Sequence, residues 1–168
     1  MASRAQEIRI RRIIACFAPG RAVAPGAIAH LVKETQAELL GLFIEDAELL
    51  RFAALPFAAE VGFPSAARRS VDLAAVERAL QHQAALLRQA LAASLGEHGW
   101  SWRVARASPA DAVAAALAEG YAPSLVIPPG SNLRAERRIV SAAELDEEEL
   151  RALLADSRPL LILPRAEE

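Results

Sequence analysis

The sequence predicts an α/β fold: a three-layer, doubly wound sheet of five parallel strands in the order 3-2-1-4-5, with helices on both faces. Three observations lead there. Short, nearly continuous apolar runs recur along the chain, as in strands covered on both sides. Amphipathic stretches with helix-starting and helix-stopping residues at their ends lie between these runs. The two kinds alternate as β-α-β-α-β-α-β-α-β, the order that winds a parallel sheet through right-handed crossovers.

Ile10, Ile13, Ile14, Ala15, Cys16 and Phe17 form the first run, within residues 8–17, and Ala18-Pro19-Gly20 closes it as a turn. Pro25 suits the first turn of a helix, where its missing N–H would have no partner, and Ile28, Leu31, Val32 and Thr35 follow on one face. Residues 37–45 are a second strand, apolar almost throughout. Asp72 or Ser70 caps a long helix whose Leu73, Val76, Leu80, Leu87, Leu91 and Leu95 form one stripe, stopped by Gly96 and Gly99. Residues 100–107 alternate as an edge strand with one wetter face does. Ser108 then stands at an N-cap, Pro109 at the first helical position and Gly120 past the last turn. Ser124-Leu125-Val126-Ile127 is a fourth strand, broken by Pro128-Pro129-Gly130. Asp146, Glu147, Glu148 and Glu149 place negative charge at the positive end of a helix carrying Leu150, Leu153 and Leu154. Leu160-Leu161-Ile162-Leu163, set between Pro159 and Pro164, closes the chain as a fifth strand. Residues 47–71 stand apart: too long for a plain connection, and rich in Leu49, Leu50, Phe52, Leu55, Phe57, Val61 and Phe63. They read either as a functional cover or interface, or as a short helix plugging the edge of the core.

The chain has 168 residues, the size of one ordinary domain, and residues 1–168 are read as a single one. With 54% hydrophobic and 24% charged residues it is a folding sequence, not a disordered one. Its 19 basic and 21 acidic side chains leave a formal charge of −2, so no basic field draws it to nucleic acid or to a membrane surface. No run approaches the roughly 18 apolar residues of a membrane span. A single cysteine, Cys16, excludes an internal disulfide, and three scattered histidines leave no Cys/His cluster for a metal. Ile13-Ile14-Ala15-Cys16 behind Arg9, Arg11 and Arg12 imitates a lipoprotein cleavage box, but a secretory signal needs about 7–15 apolar residues before that point. A cytoplasmic location is the expectation.

Several segments, in order, carry a resemblance. They are Arg11-Arg12-Ile13-Ile14-Ala15, Ser108-Pro109-Ala110-Asp111-Ala112-Val113, Ala122 to Ser131, and Ser157-Arg158-Pro159-Leu160-Leu161-Ile162-Leu163-Pro164. Together they resemble the first strand, the opening of the third helix, the fourth strand with its glycine turn, and the closing strand of the universal stress protein family, in the adenine nucleotide alpha-hydrolase-like superfamily. The resemblance spans about 150 residues and implies a homodimer through the terminal strand, here Leu160–Leu163, and a role in stress response. ATP-binding members carry an aspartate at the end of the first strand and a Gly-x2-Gly-x9-Gly-Ser/Thr loop whose N–H groups cradle phosphate. Here the strand ends in Phe17, and after Gly130 the later positions are Leu133, Ala143 and Glu144. A side chain at Leu133 and a carboxylate at Glu144 oppose phosphate binding, so the resemblance is to the branch that does not bind ATP, and no cofactor is expected.

In an open α/β sheet the ligand crevice lies outside the carboxyl ends of the strands where the winding reverses, here between the first and fourth strands. Phe17, Ala18, Pro19 and Gly20 converge there with Gly130, Ser131, Asn132 and Arg134 as candidate ligand-binding residues. Arg137 and Arg138 follow, available to an anion or to a solvated charged segment. His30, His82 and His98 lack triad or metal-ligand spacing, and Glu45, Asp46 and Glu48 read as a solvated loop after the second strand. Ser65 and Ser131 sit in no nucleophile elbow, and no P-loop or dinucleotide fingerprint occurs. No catalytic and no metal residues are assigned. The leading expectation is a dimeric binding or regulatory module that does not hold ATP. One alternative is a nucleotide- or anion-binding protein, or weak hydrolase, using that crevice; another is an interaction module docking a partner through residues 49–63, from Leu49 to Phe63.

Overall fold

The computed structural model describes residues 8–165 apart from 22–23, 48–49, 52–53, 56–58, 62–67, 71 and 121. Six strands form one sheet: β1 (Arg12–Phe17), β2 (Glu38–Glu45), β5 (Trp100–Arg106), β6 (Ser124–Ile127), β7 (Arg138–Ser141) and β8 (Leu160–Leu163). Two short antiparallel strands, β3 (Ala59–Val61) and β4 (Arg68–Ser70), pair separately. The helices are α1 (Pro25–Thr35), α2 (Leu73–Leu95), α3 (Pro109–Leu117) and α4 (Glu147–Ala155), with a 3-10 turn at Ala142–Glu144.

The side chains of β1 and β2 alternate between two buried layers, as the two-residue period of a strand requires. Ile13, Ala15, Phe17, Leu39 and Phe43 face α1 and α2, while Ile14, Cys16, Leu40, Leu42 and Ile44 face α3 and α4. Because both faces are covered, these strands read as unbroken apolar runs. Helix starts follow the local chemistry of the sequence. Asp72 accepts from the Ala74 N–H at 3.1 Å, Ser108 from Asp111 N–H at 3.2 Å and Asp146 from Glu149 N–H at 2.8 Å. Helix α1 has no side-chain cap and opens on Pro25.

The sheet order is β5-β2-β1-β6-β8-β7. Its first four members reproduce the expected 3-2-1-4 order, with β5 at an edge and β1 parallel to both β2 and β6. The remainder corrects the expectation of a five-stranded, all-parallel sheet. Leu160–Leu163 lies beside β6 but runs antiparallel to it, and Arg138–Ser141, not foreseen as a strand, takes the far edge parallel to β8. The physical cause is the connection after β6. A parallel return needs a crossover of a dozen residues or more. Here the Pro128-Pro129-Gly130 turn leads, without a helix, into β7 running back down the sheet, and α4 then carries the chain across to insert β8 between β6 and β7. Both edges of Leu160–Leu163 are therefore taken, so two copies cannot pair strand to strand there.

The described residues of 47–71 include both helical and strand positions. Ala47, Leu50 and Arg51 are helical, Leu50 is buried, and β3 and β4 form a hairpin-like pair. Leu49, Phe52, Phe57 and Phe63 lie outside the described residues. Among the described residues no helix is long and apolar enough to cross a membrane.

Candidate functional site

Two turns meet at the carboxyl ends of β1 and β6. The first closes with the Arg21 N–H donating to the Ala18 carbonyl at 3.3 Å, with Gly20 at φ 71°. The second closes with the Ser131 N–H donating to the Pro128 carbonyl at 3.1 Å, with Gly130 at φ 69°. Glycine is the residue that takes such left-handed positions without strain. The turns also touch: a Cβ built on Gly130 would stand 3.4 Å from Arg21 Cδ and 3.7 Å from its guanidinium nitrogen. Gly130 thus leaves the space in which Arg21 lies.

The crevice expected between these strands is nearly closed. Phe17, Gly130 and Ser131 line it, as the sequence predicts, but it measures about 30 Å³, close to the space of one water molecule. Leu133 lines it too, half-buried against the core cluster that contains Ile28 of α1. The donors expected to face a ligand are turned inward. Ser131 Oγ donates to the Ser157 carbonyl at 2.6 Å, and the Asn132 N–H donates to that same carbonyl at 3.2 Å. The Asn132 side-chain oxygen accepts from Arg134 N–H at 3.0 Å. Ala18, Pro19, Gly20, Asn132 and Arg134 line neither this crevice nor the larger cavity beside it.

That cavity, about 570 Å³, lies over the carboxyl ends of the strands on the side of α3 and α4. Its walls come from five places in the chain. Arg21 follows β1, Asp46 and Ala47 follow β2, Ser108 to Ala110 open α3, Pro129 follows β6, and Arg151, Leu154, Ala155 and Ser157 belong to α4 and its exit. The volume is that of sites for small organic molecules. Arg151 pairs with Glu147 at 3.2 Å, both side chains about two-thirds exposed, at 64% and 69%. Arg21, Arg151 and Ser157 are not among the ligand-binding residues the sequence points to, because their place at this cavity depends on how α4 returns over the sheet.

Other candidate groups are absorbed by the fold. Glu45 corrects the expectation of a solvated carboxylate: it is buried, accepts from Arg106 Nε at 2.9 Å, and Arg106 reaches Glu77 at 3.2 Å, tying β2 and β5 to α2. Its hydrogen bond to Glu45 raises the Arg106 pKa. Glu48 lies outside the described residues. Arg138 is a clamp, not an anion receptor, since its guanidinium donates to the carbonyls of Leu153 at 2.9 Å and Arg158 at 2.8 Å. Arg134 and Arg137 are exposed. Burial pushes the Cys16 thiol up to about 12, which removes the thiolate a nucleophile would need. His98 binds the Ala37 carbonyl at 3.0 Å and His30 stands 3.7 Å from Glu34. Among the described residues no group of three or more His, Cys, Asp or Glu side chains is placed to hold a metal ion.

Compared with known proteins, the chain matches no family model and no curated protein.

Proposed function

We propose that this chain is a universal-stress-protein-like, dimeric binding and regulatory module of the cytoplasm whose glycine turn does not take the triphosphate of ATP. The observation that carries the reading is the closed turn. Phosphate cradles work by presenting free backbone N–H groups, and here the Ser131 and Asn132 N–H groups are spent on the Pro128 and Ser157 carbonyls. The crevice beside them, lined by Leu133, holds only about 30 Å³. The sheet order 3-2-1-4 supports the family likeness.

For the dimer, the supporting feature is the outer edge of β7, which has no strand beside it among the described residues and carries Ile139, 60% exposed. Unpaired strand edges are the natural place for a second copy to add. Calorimetric titration with Mg-ATP tests the first half, and binding in the low micromolar range refutes it. Native mass spectrometry tests the second: the wild-type chain runs as a dimer, and Ile139→Lys, which puts a charge on that edge, shifts it to monomer.

A further inference from the structure

We propose that the cavity of about 570 Å³ beside α3 and α4 binds a small carboxylic acid with an apolar body, its headgroup held by Arg21 and Arg151. This names the ligand class for the binding role argued above and rests on that reading. The walls suit a compact apolar body, with Ala47, Pro109, Ala110, Pro129 and Leu154 around the space. The two arginines supply the polarity, and each is poised differently.

Arg21 has no acidic partner among the described residues, so its guanidinium keeps all its donors. It is nonetheless held in place. The turn fixes its backbone through the 3.3 Å bond to Ala18, and the missing side chain at Gly130 gives its Cδ and guanidinium their seat at 3.4 Å and 3.7 Å from where a Cβ would stand. The glycine therefore serves an arginine here, and the planar fork of that arginine takes over the task that the spent backbone N–H groups cannot perform. Arg151 faces the same space from α4, bound among the described residues to Glu147 alone, in a solvent-exposed pair of the kind that exchanges readily for a better anion.

The rest of the wall decides the charge of the ligand. Ser108 Oγ accepts from the Asp111 N–H, which leaves its O–H as a further donor to a carboxylate at the start of α3. Asp46, engaged within the fold, also lines the cavity. Among the lining side chains two arginines stand against one aspartate, and Glu147 holds Arg151 from outside the lining, so a single carboxylate that displaces Glu147 suits the space and a triphosphate does not.

The test is a proton–nitrogen NMR titration of the folded chain with benzoate, its neutral analogue benzamide, and acetate, which has the charge without the body. Benzoate is expected to saturate with shifts at residues 21, 46, 108–110 and 151–157. Benzamide and acetate each bind about tenfold or more weakly, and Arg21→Ala and Arg151→Ala each weaken benzoate about tenfold or more. Arg21→Lys, which keeps the charge and loses the fork, falls between. Equal binding of benzoate and benzamide, benzoate affinity untouched by Arg21→Ala in a variant with wild-type far-ultraviolet dichroism, or shifts confined to residues 130–133 would overturn the assignment. A parallel ATP titration separates the two proposals. ATP binding at residues 130–133 sinks the closed-turn reading, whereas silence from both ATP and benzoate sinks only the carboxylate site.

Discussion

Gly41 is the position where a single methyl group should cost most. It sits in the middle of β2, directly opposite Trp102 of β5. A Cβ there would lie 2.6 Å from Trp102 Cε3, 3.0 Å from Cζ3 and 3.5 Å from Leu91 Cδ1. Trp102 cannot yield easily, since its ring is held by Phe17 at 5.7 Å, Phe43 at 6.5 Å and Trp100 at 6.4 Å between centroids. Overpacking of this kind costs about 1–3 kcal/mol, while removing a glycine from the unfolded chain returns about 0.4–1 kcal/mol, so Gly41→Ala should destabilise by about 1–2 kcal/mol. With a urea slope of about 2 kcal/mol per molar, the unfolding midpoint falls by about 0.5–1 M, read from the fluorescence of the two tryptophans, both in β5. In Trp102→Leu the same alanine should be tolerated, giving a non-additive double-mutant cycle of similar size. An unchanged midpoint for Gly41→Ala with an additive cycle would refute the β2–β5 register. That register matters to the site: it pairs Glu45 with Arg106, just before Asp46 and Ser108, which both line the cavity.

Arg138→Ala should destabilise by about 2–4 kcal/mol in urea unfolding, because it strips the Leu153 and Arg158 carbonyls of a charged donor; an effect below about 0.5 kcal/mol would mean the clamp is ornamental. Cys16 should resist a disulfide reagent at pH 8 in the folded state and react at once in urea, its thiol raised by burial; rapid labelling of the native chain would contradict its place in the core. Glu119, held by its hydrogen bond to Arg103, and Asp156, held by Arg158, both titrate below their ordinary values of 4.5 and 3.8. A depressed folded pKa contributes stability above the unfolded value that is lost as pH falls through the folded one, so the urea midpoint should decline gently below about pH 4.5. Glu119→Gln should flatten part of that decline, and high salt should flatten more of it, since these are exposed pairs.

The parts of the fold that the sequence made legible are those decided locally. The caps Asp72, Ser108 and Asp146, the prolines at positions 25 and 109, and the apolar runs of β1, β2 and β6 each announce their structure because a nearby backbone group or a doubly covered sheet demands them. Strand β7 escaped notice for a corresponding reason. At the open edge, Ile139 is exposed and Val140 half-buried, so Arg138–Ser141 lacks the continuous apolar pattern of an inner strand and sits in a basic stretch that looks solvated. The direction of β8 was equally hidden. A run such as Leu160–Leu163 shows that a strand is buried, and nothing in it shows which way the strand points.

The site follows from that hidden direction. Had the chain left β6 through a helix, the 130–132 turn would have opened that helix, and its N–H groups would have faced outward, where a phosphate sits. Because the chain instead turns back to the edge and returns through α4, the exit of α4 lies against the turn, and the Ser157 carbonyl takes the Ser131 hydroxyl and the Asn132 N–H. Leu133 lines the small crevice beside that turn and packs, half-buried, against the core. The open space moves to the other side of the sheet's carboxyl edge, between α3 and α4, where Arg21 and Arg151 are the cations at hand. Glycine at position 130 and leucine at position 133 therefore belong to one rearrangement, in which the backbone donors are spent on the fold and a side-chain cation takes the exposed position.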